Sequence, residues 1–290
     1  MGVGSGSTPQ HSLGNRPADM LARPVVVAAA LAPEADGAGL ALTPVDVLME
    51  KASVALGRGD YFACEELCLR AIERCRRARD WERVARAVLP LQEARRQVRQ
   101  LATDSGRVFV LRRLPSRGER IEPGCYLIEP PLLGIDARTF REMARGRRVP
   151  VVALAKEPTT AAGRWPFVGV GGNLGAQPMP VSVRVQVDAP AGLQGVATLA
   201  GARAELVPGV SWVMATQELL GDAAIARVEA GRAAGWPADH RVEDLLEYLE
   251  AVPDHEKLHQ ALESAAREAA GGPASMRIRR RGGLDDPGSF

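Results

Sequence analysis

The hydrophobic pattern of this chain changes period twice. Between residues 44 and 103 apolar positions recur at helical spacing. Thr43-Pro44 opens a first helix, with Thr as cap and Pro at the first helical position, and Val47, Leu48, Ala52 and Ala55 form its stripe. Gly57-Arg-Gly-Asp60 ends it. A second helix runs from about Tyr61 to Arg79, and a third starts near Asp80-Trp81, where Pro90 predicts a kink or a split before the pattern resumes through Leu101.

From residue 107 the period shortens. Residues 107–111, 125–128, 149–154, 166–170 and 181–187 read as strands, and Asp136 predicts the cap of a helix through about Gly146. Residues 125–155 then form one strand–helix–strand crossover, which implies a parallel pair. The last strand alternates, which predicts one wet face. Helices follow near 211–233, 241–252 and 254–270. The expected fold class is mixed α/β: a helical hairpin module (44–103), then an α/β domain with a small, partly parallel sheet and C-terminal helices (107–270). The Gly/Ser/Pro-rich residues 1–43 and the basic residues 271–290 read as disordered tails.

Composition sharpens this. Hydrophobic residues make up 46% of the chain but aromatics only 4%, so the core must be aliphatic. The 37 basic residues divide into 34 Arg and 3 Lys, against 35 acids, for a net charge of +2. That balance gives the whole chain no electrostatic bias toward nucleic acid or membrane. Locally the charge is uneven. Residues 58–148 carry 21 Arg and 13 acids, a net of +8, and residues 205–268 carry 5 basic and 13 acidic residues, a net of −8. The two halves can dock on each other, pair head to tail with a neighbour, or stay separately solvated. No run is apolar enough for a transmembrane helix, and PVVVAAALAP (24–33) is a poor signal segment. The expected location is cytoplasmic, in agreement with cysteines that share a helix face rather than pair.

Those cysteines are the first candidate chemistry. Cys64, Cys68 and Cys75 lie within about 40° of one another on a helix, with Ala71 on the same stripe. A structural zinc site needs a second ligand pair, and none stands nearby, so they read as buried structural thiols. Residues 44–80 also resemble one degenerate tetratricopeptide repeat. Gly59-Asp60-Tyr61 matches its turn, Ala52, Cys64 and Ala71 its small contact positions, and Leu48 its first aromatic position. Lys51, Ala55 and Arg76 depart from it, and no second copy follows. The resemblance implies a helical hairpin of the kind that holds protein partners.

His255-Glu256-Lys257-Leu258-His259 matches H-E-x-x-H, in which two His on one helix face hold zinc and the Glu is the base. The resemblance to zinc metallopeptidases is five residues long. Pro253-Asp254 precede it, Lys257 fills an apolar position, and Asp254 reads as the cap of the last helix. Gly169-Val-Gly-Gly-Asn-Leu-Gly175 fails G-x-G-x-x-G and leads into a strand rather than a helix. Lys156, Glu157 and Thr159 stand at the carboxyl end of the strongest strand, where α/β sheets bind ligands, and are the pocket candidates. Arg70, Arg74, Arg77 and Arg86 could track phosphates, but interleaved acids and few aromatics favour helix-surface ion pairs.

The resulting expectation is a non-catalytic interaction or scaffolding protein with a protein partner, no cofactor, no membrane role and no assigned oligomeric state. An enzyme with an α/β ligand pocket (a zinc hydrolase through His255 and His259 as its specific case) and a nucleic-acid binder are the alternatives.

Overall fold

A computed structural model describes residues 1–2, 43–172, 180–196, 198–199 and 207–272. The expected tails, the 24–33 segment and part of the glycine-rich loop lie outside these residues. Among the described residues Leu42–Phe290 contributes one compact unit of seven helices and five strands.

Three helices come first: α1 (Pro44–Gly57), α2 (Tyr61–Ala78) and α3 (Trp81–Asp104). Each start is capped by a side-chain oxygen that accepts an otherwise orphaned amide. Thr43 forms a capping box with Asp46, Asp60 accepts from Ala63 N, and Asp80 accepts from Arg83 N. Pro90 does not split α3, which runs on for 24 residues. Its lost amide removes one rung of the helix ladder. Helix packing outweighs that loss, because Val88, Leu91 and Ala94 on either side are fully buried.

The sheet has the order β1–β2–β3–β4–β5: β1 (Val108–Leu111), β2 (Gly124–Ile128), β3 (Val151–Lys156), β4 (Trp165–Val170) and β5 (Ser182–Val187). β1, β2 and β3 are parallel, and β4 and β5 return antiparallel. The expected crossover is present, with α4 (Gly134–Gly146) joining the parallel β2 and β3. Its cap differs from expectation. Leu133 is the cap residue and Asp136 sits three positions in, accepting from Leu133 N at 2.7 Å. On β5, Arg184 and Gln186 are exposed while Val183 and Val187 are buried, the alternation read from the sequence.

α4 covers one sheet face through Ala137, Phe140 and Ala144, which meet Tyr126, Ile128, Ala153 and Val168. The other face carries a larger core. Cys125, Leu127, Val152, Leu154, Trp165 and Phe167 join there with α1–α3 and with α5 (Val210–Ala233), α6 (Ala238–Ala251) and α7 (Glu256–Gly271). Cys64, Cys68 and Cys75 are free thiols at most 1% exposed, and Cys64 Sγ lies 3.6 Å from the Pro90 carbonyl that accepts from it. The small-residue stripe therefore lets α2 approach α3 closely.

The uneven charges meet within the molecule. Arg76 pairs with Glu243 at 3.3 Å, Arg99 with Glu218 at 3.1 Å and Arg138 with Glu250 at 3.5 Å, each joining the basic segment to the acidic one. No helix among the described residues is long and apolar enough to cross a membrane.

Candidate functional site

A cavity of about 280 Å³ opens between α2 and α3 on one side and α4, α6 and the α6–α7 turn on the other. Its walls are aliphatic: Leu69, Ile72, Leu91, Val98, Leu246 and Leu249, with Val149 and Val151 from the start of β3. Charged groups come from each element. α4 supplies Arg138, Arg141 and Arg145, spaced i, i+3 and i+7, so that they share a face about one third of a turn from the buried Ala137–Phe140–Ala144 stripe. The helical layer adds Glu65, Glu73, Arg76 and Arg95, and the far wall adds Glu250 and Asp254.

At the floor Arg95 is 5% exposed and paired with Glu65, 7% exposed, at 2.9 Å. Arg95 also donates to the Pro253 carbonyl (3.4 Å) and reaches His259 Nε2 (3.5 Å). A buried guanidinium with three partners is a fixed part of the wall. Arg141 and Asp254 differ from it. Both keep some solvent contact through the cavity mouth while protein crowds them on every other side. Arg141 donates through one Nη to the carbonyls of Glu250 (3.2 Å) and Ala251 (3.5 Å). Burial pulls its pKa down to about 10, so it stays charged at neutral pH. Burial pushes the Asp254 carboxyl above the ordinary carboxylate range, and Arg141 and Arg95 oppose that push.

The expected pocket residues lie elsewhere. Lys156 and Glu129 form an ion pair at 3.6 Å with both side chains at most 1% exposed. The Lys156 ammonium also sits 4.9 Å from the Trp165 ring centroid and 3.4 Å from Thr159 Oγ1. Glu129 accepts from Leu199 N (3.0 Å) and Thr198 Oγ1 (2.9 Å), and Glu157 pairs with Arg184 of β5. At the carboxyl ends of β2 and β3, Glu129, Lys156, Thr159 and Glu157 thus bond to the protein's own groups. The cavity lies at the opposite end of β3, and none of Lys156, Glu157 or Thr159 lines it.

The H-E-x-x-H residues are not on one helix. α7 begins at Glu256, and His255 rather than Asp254 is its cap, with Nδ1 accepting from Leu258 N at 3.2 Å. His259 donates from Nδ1 to the His255 carbonyl at 2.9 Å. Of the remaining nitrogens, His255 Nε2 faces Glu218 (3.1 Å) and Asp222 (3.4 Å), and His259 Nε2 faces Arg95. The two rings address different partners, and Glu256 points to neither ring but toward Arg99 and Gln92. Among the described residues no three His, Cys, Asp or Glu side chains are placed to hold a metal.

The glycine-rich loop has a packing role where it is described. A Cβ on Gly171 would stand 2.3 Å from the Glu247 carbonyl of α6, and Gly172 N donates to Glu250 at 2.7 Å. Small residues are needed there to seat the loop on α6. Of the Arg set weighed for phosphate, Arg77 pairs with Glu73 at 2.7 Å, and Arg70, Arg74 and Arg86 are exposed.

Two residues central to the cavity were not singled out from the sequence in this role. The signal for Arg141 was the Arg138–Arg141–Arg145 spacing on a helix whose other stripe is apolar. Asp254 carried no such signal, because an Asp just before a helix also fits a cap. Comparison of the chain with protein-family models, with curated protein sequences and with solved structures returns no match, so the cavity and its side chains are the basis of any functional reading.

Proposed function

We propose that this chain is a non-catalytic binding protein and that the cavity between the N-terminal helices and α4–α6 takes its ligand. The observation that carries the reading is the make-up of the lining: apolar and charged side chains in equal number, with no Ser, Thr, Cys, His, Lys or Tyr among them. Concave apolar walls with convergent polar groups characterise ligand sites. The lining has no hydroxyl, thiol, imidazole or amine, and four of its five carboxylates are held in ion pairs with Arg, which favours binding over covalent chemistry. The volume is at the lower edge of the ~300–1,000 Å³ range for small-molecule pockets, which favours a small ligand over an inserted partner helix. The tetratricopeptide resemblance of 44–80 supports a binding role in general terms, since α2 forms one wall.

The test uses anilinonaphthalene sulfonate, a fluorescent amphipathic anion, titrated into the full chain. Saturable uptake is expected, and Leu69→Trp, which pushes an indole into the cavity, should abolish it while the circular dichroism spectrum stays unchanged. Uptake that Leu69→Trp does not affect would place the dye elsewhere and remove the support for this site.

A further inference from the structure

Most of the cavity's charges already have partners. Arg76 is held by Glu73 and Glu243, Arg95 by Glu65, and Arg138 by Glu142 and Glu250; Arg145 lies 3.8 Å from Glu65. One cation and one anion are left over. Arg141 bonds only to carbonyls, and through a single Nη. The Asp254 carboxylate receives no hydrogen bond or ion pair from any described residue, so it stands beyond the 4.0 Å ion-pair distance from Arg141. Two opposite charges that line one cavity and do not close on each other can each take a ligand group. Burying either charge unpaired is costly, and a ligand that completes both removes that cost.

We infer that the cavity binds a small aliphatic zwitterion of the amino-acid class, with its carboxylate on Arg141, its ammonium on Asp254 and its hydrocarbon side chain against Ile72, Leu246 and Leu249. This inference rests on the binding reading above and adds the chemistry of the ligand. A planar guanidinium suits a carboxylate, which it can grip with two N–H groups. The Asp254 carboxylate lies in the fields of Arg141, Arg95 and Arg99 but is bonded by none of them, so its oxygens stay available to an ammonium, and the cavity volume suits a side chain of a few carbons. Neither single charge suffices, because a purely anionic ligand would leave Asp254 facing a second negative charge and a purely cationic one would face Arg141.

Isothermal titration calorimetry of the full chain with L-leucine, isoamylamine and isocaproate tests this. The last two keep the branched hydrocarbon and lack the carboxylate or the ammonium. Leucine is expected to bind at least about tenfold more tightly than either, as when a buried charged group loses its partner. Asp254→Asn should weaken leucine by about the same factor and leave isocaproate unweakened, and Arg141→Gln should erase the preference for leucine over isoamylamine. Isocaproate binding wild type as tightly as leucine would overturn the zwitterion inference and leave the binding site standing. Failure of leucine to bind while anilinonaphthalene sulfonate still enters the cavity would overturn this inference alone. Failure of both would remove the site as well.

Discussion

Asp254 shows at the level of one residue how a site and stability oppose each other. Its carboxyl is held above the usual range by burial, so the folded protein binds that proton more tightly than the unfolded chain. A raised acid favours the fold at low pH, and the advantage is lost as pH climbs past the unfolded value. At neutral pH the charged form therefore weakens the fold, and Asp254→Asn should raise the melting temperature at pH 7, with the gain shrinking on acidification. A lower melting temperature at pH 7 would contradict this. His259 works in the other direction. Burial, aided by Arg95, holds it down at about 3 against an ordinary 6.5, so the fold excludes the proton and loses stability as pH falls below 6.5. At pH 5 that amounts to about 2 kcal/mol. His259→Asn keeps a donor for the His255 carbonyl and should remove most of this acid sensitivity in urea titrations at pH 5 and 7. Neither shift was legible in the sequence. His259 was visible as half of a motif, but what sets its chemistry is burial, aided by Arg95 164 positions away.

Among elements, α5 approaches the α6–α7 turn closely at Gly221. A Cβ on Gly221 would stand 2.0 Å from the His255 ring, closer than any real contact. Helix propensity alone makes Gly→Ala favourable by about 0.5–1 kcal/mol. Overpacking against a rigid ring costs about 1–3 kcal/mol, so the clash decides the sign. Gly221→Ala should shift the urea midpoint downward, and an upward shift would show that the ring can move aside. Element identity was the part of this fold most open to sequence reading. Each strand and helix announced itself by local period, and Asp60 and Asp80 marked the starts of α2 and α3. The misplaced caps at α4 and α7 share one cause. A cap is defined by backbone dihedrals at a single residue, and both Asp136 and Asp254 lie within three positions of the true one. Pro90 does not split α3 because its local cost is set against burial on both sides of the helix, which the sequence does not display.

On the scale of the whole molecule, the N-terminal helices and the sheet share one core, and the basic and acidic segments are tied by ion pairs. Far-ultraviolet circular dichroism and tryptophan fluorescence should therefore report a single unfolding transition in urea. Two separated transitions would mean that residues 44–104 form an independent domain. Within the helical layer, the buried Arg95–Glu65 pair ties α3 to α2. Glu65→Ala would strand a buried guanidinium at a cost of about 3–5 kcal/mol, several times the effect of an exposed pair such as Arg77–Glu73. The dipolar charge distribution was plain in the sequence, and three of its uses stayed open there. Which one applies depends on tertiary packing alone. The cavity was hidden for the same reason: its walls come from residues 62–98, 138–151 and 246–254, and no window of sequence contains them together.

That separation of the walls also has a history in time. Neighbouring strands of the sheet are neighbours in the chain, so each can pair as soon as it is made. Leu246 and Asp254, by contrast, leave the ribosome about 150 residues after Val98, which at ~5–20 residues per second is a wait of roughly 8–30 s. Throughout synthesis Leu69, Ile72, Leu91 and Val98 lack their lid of C-terminal helices. A ribosome stalled before α6 would hold a nascent chain with that apolar surface uncovered, and such a chain is the one a holdase chaperone would grip.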